Sequence, residues 1–149
     1  MSKVVDSKKE MLDPNDLIEI AIQNMGLFDK VKVHKNLQLA AVVAEFNQPE
    51  VIVYRVGNTL FEVIPSEKSN SAYFKAFNAD TASNFVDNSI YFGEWAKSEG
   101  INYLITQFKD KTLLNIFKAI NKKSPSPGAG YRAYNTNGGQ IRVVVSLGR

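Results

Sequence analysis

The sequence predicts an α/β fold of the α+β kind: a mixed, mostly antiparallel sheet of about six to seven strands with a central parallel pair, flanked by about four helices. Three stretches predict it. Residues 72–120 read strand, helix, strand, helix; two β-rich runs meet at Gly57-Asn58; and a second hairpin pattern closes the chain after residue 130. Consecutive strands joined by a helix run parallel through a right-handed crossover. AYFKAFNA (72–79) and INYLITQF (101–108) are therefore expected as parallel neighbours. Ligands on such sheets sit at strand C-terminal ends, near helix N-termini, which places the site between Asn78 and Asn84.

Taken in order, residues 1–12 form a charged, flexible N-terminal segment in which Val4-Val5 can add a short edge strand, and residues 13–149 form one domain. Asp13 caps a first helix, Pro14 suits its first position, and Ile18, Ala21, Ile22 and Met25 keep the i, i+3, i+4, i+7 rhythm until Gly26. A second helix spans Asn36 to Phe46, with a small-residue face at Ala40, Ala41 and Ala44. VIVYRV (51–56) and TLFEVI (59–64) flank Gly57-Asn58, a two-residue hairpin signal, because the primed turns need positive φ. SEKSNS (66–71) leads into the strand at 72–79, making three antiparallel strands in succession. Asp80 or Thr81 caps the next helix, whose apolar stripe runs through Phe85, Val86, Ile90, Phe92 and Ala96; such an aromatic stripe is core rather than cofactor box. Leu113, Ile116, Phe117 and Ile120 stripe the last helix, and the prolines and glycines of NKKSPSPGAG (121–130) make a loop. YRAYN (131–135) and QIRVVVSL (140–147) then form a hairpin through residues 136–139.

Composition narrows the chemistry. The 149 residues are 44% apolar and 22% charged, ordinary globular usage. With no cysteine and one histidine, disulfides, thiolate sites and poly-histidine metal sites are excluded, and no metal is expected. Nothing approaches the roughly 18 apolar residues of a membrane span, and MSKVVDSKKEMLD lacks an apolar signal core. The expectation is a soluble cytoplasmic protein, or one carried inside a particle, with no membrane partner. Net charge is +3 but unevenly placed: all fifteen acids lie in the first 110 residues, and seven of the eighteen cations follow them. Lys118, Lys122, Lys123, Arg132 and Arg142 are expected to form one basic surface around the proline-rich loop, open to an anionic partner.

The element order—helix, helix, three antiparallel strands, helix, strand, helix, two strands—resembles the GNAT N-acetyltransferase superfamily over nearly the whole chain. In that family the sheet splays after the central strand, and acyl-CoA lies there with its pyrophosphate on backbone N–H groups at the following helix start. The resemblance thus implies splaying of the strands at 72–79 and 101–108, and acetyl-CoA or another acyl-CoA as cofactor. It places contacts at Phe77, Asn78, Thr81, Ala82, Ser83, Asn84 and Phe117. Gly100-Ile101 ends the helix as members commonly do, and Gly130-Tyr131 echoes a terminal Gly-Phe displaced by an inserted loop. The phosphate motif departs from Arg/Gln-x-x-Gly-x-Gly/Ala: Thr81, Ser83 and Phe85 stand where glycines or small residues are usual, and no arginine or glutamine precedes the turn. In DKTLLNIFKAI, Asp110 falls at a family asparagine and Phe117 at a tyrosine that protonates the leaving thiolate. No catalytic base is evident. Glu62 is read as an outward-facing surface glutamate, with a base as the alternative, and His34 as a polar residue before the second helix.

Three readings of function stay open. One is a divergent acyltransferase moving an acyl group from acyl-CoA to an amine. The second is a non-catalytic GNAT-like scaffold with a protein partner, an interaction or virion-assembly protein of the sort phages carry, which the Asn-, Lys- and Ser-rich usage suits. The third is nucleic-acid binding by the basic C-terminal quarter, with Tyr131 and Tyr134 as stacking groups. The acceptor, the origin and the oligomeric state are not legible.

Overall fold

A computed structural model of the chain describes residues 3–6, 43–68, 70–123 and 129–147. The expected helix at 13–26, His34, the second helix before residue 43 and the heart of the proline-rich loop lie outside them. Among the described residues seven strands form one sheet: β1 (Lys3–Asp6), β2 (Ile52–Val56), β3 (Thr59–Pro65), β4 (Ser71–Asn78), β5 (Tyr103–Phe108), β6 (Ala129–Asn135) and β7 (Ile141–Leu147). They hydrogen-bond in the order β1-β2-β3-β4-β5-β7-β6. Helix α1 (Ala82–Ser98) joins β4 to β5, and a 3₁₀ turn (Lys111–Leu113) leads into α2 (Leu114–Lys123). This is the mixed α+β fold expected from the sequence.

β4 and β5 are parallel neighbours, with Ser71 opposite Tyr103 and Tyr73 opposite Ile105. The β2–β3 hairpin turns at Gly57, whose φ of 56° is open to glycine without Cβ strain. Val4 and Val5 do add an edge strand, parallel to β2 and opposite Val53 and Tyr54. The chain clusters into two compact units: one holds the chain up to Ile64 together with Lys75–Phe85, the other Pro65–Phe74 and everything from Val86 onward.

In the first unit the core gathers Phe46, Val51, Val53, Leu60 and Phe77, with Val43, Ile64 and Ala79 against it. Residues 43–46 are helical, and Phe46 meets Phe77 edge-on with centroids 5.4 Å apart. The opposite face of β3 is covered too, because Phe61 stacks with Phe85 of α1 at 6.4 Å. Every residue from Thr59 to Val63 is consequently buried.

In the second unit one sheet face carries the helices. Phe92 of α1 packs on Phe74 at 5.5 Å. Phe117 of α2 packs between Phe108 at 6.1 Å and Tyr131 at 5.7 Å. Strand alternation sends Arg132 and Arg142 to the other face, away from α2. Lys123 pairs with Asp87 instead. The five cations expected on one surface are therefore divided: two arginines on one sheet face, the lysines on a helix lying over the other, one of them neutralised.

Candidate functional site

Phe117 apart, the expected site residues lie at the end of β4 and the start of α1, in the first unit. Asn78 is the hub. Its Oδ1 accepts from the Thr59 hydroxyl at 2.8 Å and from the Asp80 N–H at 3.0 Å, and its Nδ2 donates to the Asp80 carbonyl at 2.9 Å. The Asp80 carboxylate accepts the Asn58 N–H at 2.9 Å, and the Ala79 N–H donates to the Asn58 carbonyl at 2.9 Å. The β2–β3 turn and the β4–α1 turn are thus laced together, and the backbone entering α1 is fixed. Losing this hub leaves the fully buried Thr59 hydroxyl without that acceptor. Asn78→Ala is expected to destabilise by about 1–3 kcal/mol, read as a lower midpoint in urea unfolding at unchanged slope.

Thr81 is the cap of α1: its hydroxyl oxygen accepts the Asn84 N–H at 3.2 Å, and its carbonyl accepts the Phe85 N–H at 2.9 Å. That leaves the N–H groups of Ala82 and Ser83, which have no intrahelical partner by the geometry of any helix start. Residues 81–84 are exposed, and no acidic side chain occupies the first turn, so the positive end of the helix dipole faces solvent. Phe85 does not crowd this turn, because its ring lies on Phe61. Phe77 is buried in the core, so its side chain serves packing.

Phe117 lies in the second unit, in the aromatic stack with Phe108 and Tyr131. Tyr131 thus belongs to the helix-covered face rather than to an exposed stacking surface. Asp110 caps the 3₁₀ turn, accepting from the Thr112 N–H at 2.9 Å and hydroxyl at 2.7 Å. Among the described residues no group of three or more His, Asp or Glu stands ready to hold a metal, and no helix is long and apolar enough to cross a membrane.

Glu62 corrects the sequence reading. It is fully buried, not outward-facing, because β3 is covered on both faces. Neither carboxylate oxygen reaches a hydrogen-bond partner among the described residues. Burial, reinforced by the nearby Glu45 carboxyl and opposed by Lys75, pushes its pKa up to about 8. Glu45 itself is engaged by Lys75 at 3.1 Å. The signal was present in the sequence: helices expected both before β2 and after β4 leave a central strand no solvent face.

Among solved structures the chain resembles the crystal structure of an aminoglycoside 6′-acetyltransferase type Ii, with a TM-score of 0.60 and 11% identity over 89% of each chain. No protein-family model matches the chain, and no curated protein matches it. At that identity the likeness shows the fold, which is a divergent GNAT fold.

Proposed function

We propose that this chain is a divergent acyl-CoA-dependent N-acyltransferase of low turnover, binding its acyl-CoA at the start of α1. The observation that carries the reading is the α1 N-terminal turn: exposed, free of first-turn acids, capped by Thr81, and cleared of Phe85 by its stacking on Phe61. An acetyltransferase with the same fold supports it. The Ala82 and Ser83 N–H groups suit phosphate oxygens, and the Ser83 hydroxyl adds a donor. Asn78 and Asp80 hold the turn that presents them. Acyl-CoA would supply an activated thioester for attack by an amine.

The chain's own contribution to proton movement is thin. Phe117 has no hydroxyl to protonate a thiolate, and the phenol beside it belongs to Tyr131. Glu62 is sealed from solvent, so it is no ready base for an incoming ammonium. General acid catalysis typically contributes about 10²–10⁴-fold, and turnover well below one per second is expected. These two absences favour a second reading, a GNAT-like scaffold serving a protein partner without catalysis.

Acetyl-CoA titration by calorimetry, paired with turnover on a panel of peptide and small amines, separates the two. Acetyl-CoA binding with slow acetylation supports the acyltransferase; absence of both leaves the scaffold.

A further inference from the structure

The second unit has a sheet face that no function assigned above uses. The printed registers fix its layout. Tyr73, Ile105, Val144 and Arg132 lie in one row across β4, β5, β7 and β6. One step along the strands, Gln107, Arg142 and Tyr134 form the next row; one step the other way, Tyr103 stands beside Ser71. Rows two residues apart are about 6.7 Å apart and neighbouring strands about 4.8 Å, so the patch spans roughly 14 Å each way.

Its chemistry is unusual for an open sheet surface. Tyr73, Tyr103 and Tyr134 expose 42%, 47% and 50% of their surfaces. Arg132 is exposed, and Tyr134 stands directly opposite Arg142 and two residues from Arg132. Arg142 is braced by Gln107, which accepts from its Nε at 3.1 Å. None of the four strand segments contributes an aspartate or glutamate. Ile105 and Val144, half-buried, make the floor between the rings.

From this arrangement we propose that the face formed by Tyr73, Tyr103, Tyr134, Arg132 and Arg142 binds single-stranded nucleic acid, the rings stacking on bases and the guanidiniums engaging phosphates. A flat sheet carrying exposed aromatics accommodates two or three splayed bases, and such stacking is tolerant of sequence. A second copy of the chain is the poorer occupant, since paired faces would oppose arginines with no carboxylate to meet them. An acidic peptide satisfies the charges but leaves three π-faces without a planar partner.

The test uses the full chain and a fluorescein-labelled oligothymidylate 15-mer, followed by anisotropy at 50 and 200 mM KCl, with a duplex of equal length alongside. Binding of the single strand in preference to the duplex is expected, with affinity falling as salt rises at a log–log slope near −1.4, about 0.7 for each of two phosphate contacts. Tyr134→Ala and Tyr103→Ala are each expected to weaken binding roughly 5- to 100-fold, and Tyr134→Trp to restore it. Arg132→Glu should abolish it, whereas Lys118→Glu, an equal charge change on α2, should leave it intact. Circular dichroism melts confirm that each variant is folded. No single-strand binding at 50 mM salt overturns the proposal. So does equal loss in Lys118→Glu and Arg132→Glu, equal affinity for the duplex, or sedimentation showing a wild-type dimer that Tyr134→Ala dissociates.

Discussion

Stability is expected to fall between about pH 4.5 and pH 8 in the wild-type chain, and Glu62→Gln to flatten that fall. The carboxyl is buried, and its pKa rises from an ordinary 4.5 to about 8, first through burial and then through Glu45, with Lys75 opposing. The sign follows from proton counts. Below the lower value both folded and unfolded chains hold the proton, and the contribution is fully present. Between the two values the unfolded chain ionises while the folded chain keeps its proton, so stability drops by up to about 1.4 kcal/mol per pH unit. Above the upper value the carboxylate ionises in place and the loss stops growing. Glutamine is neutral throughout and nearly the same shape, and its amide can donate toward Glu45. The variant should match or trail wild type at pH 5 and exceed it by several kcal/mol, to order of magnitude, at pH 8.5. Urea unfolding at four pH values measures this. Parallel pH profiles for the two proteins would show that Glu62 ionises normally. Glu45→Gln, by removing the second cause, should narrow the window from its alkaline end.

That buried acid also shows where sequence reasoning reached its limit. The hairpin at Gly57-Asn58, the parallel β4–β5 pair and the helix between them are local patterns, written in turn residues and in the switch from period two to period 3.6. Their order sufficed to suggest the GNAT fold, which a solved acetyltransferase then matched at only 11% identity. Burial of Glu62 is not local. It depends on Phe46, which packs with Leu60 and Phe77 on the face that Glu62 shares by strand alternation, a contact made by a residue distant in sequence. An isolated strand reading of TLFEVI gives the glutamate a solvent face that the assembled fold removes.

The candidate site was legible in the same uneven way. A cap at Asp80 or Thr81 was expected, and the hydroxyl of Thr81 holds the position. The lacing of Asn78 to Thr59 was not foreseeable, since it joins two turns through residues 19 apart in sequence. The single basic surface failed for a simple reason. Net charge counts residues but not faces, and strand alternation turned Arg132 and Arg142 away from the helix bearing Lys118 and Lys122. The same alternation aligned those arginines with tyrosines that composition alone scatters along the chain.

Ala82→Pro and Ser83→Asp should each leave the fold as stable as wild type, or more so, while weakening acetyl-CoA binding. Ala82 is the first residue of α1 after its Thr81 cap. Proline is favoured at that position, since its fixed φ suits the helix and the N–H it lacks has no intrahelical partner. Proline also favours extended backbone in the preceding residue, the usual conformation of a cap. The substitution therefore removes one donor and little else. A hydrogen bond to a charged group is worth about 1.5–3 kcal/mol, so a phosphate held there should lose roughly 10- to 150-fold in affinity. Ser83→Asp reaches the same end by charge. A carboxylate in the first turn gains about 0.3–1 kcal/mol from the helix dipole, yet it repels a pyrophosphate from the same N–H groups. Stability and affinity thus move in opposite directions, which a mutation acting through misfolding does not produce. Thermal melts without ligand and calorimetric titration with acetyl-CoA read the two quantities separately. If wild type binds and both variants bind equally well, the cofactor is held elsewhere than at the start of α1. If wild type does not bind, the helix start has been given up as a phosphate site, and the non-catalytic scaffold becomes the reading to pursue.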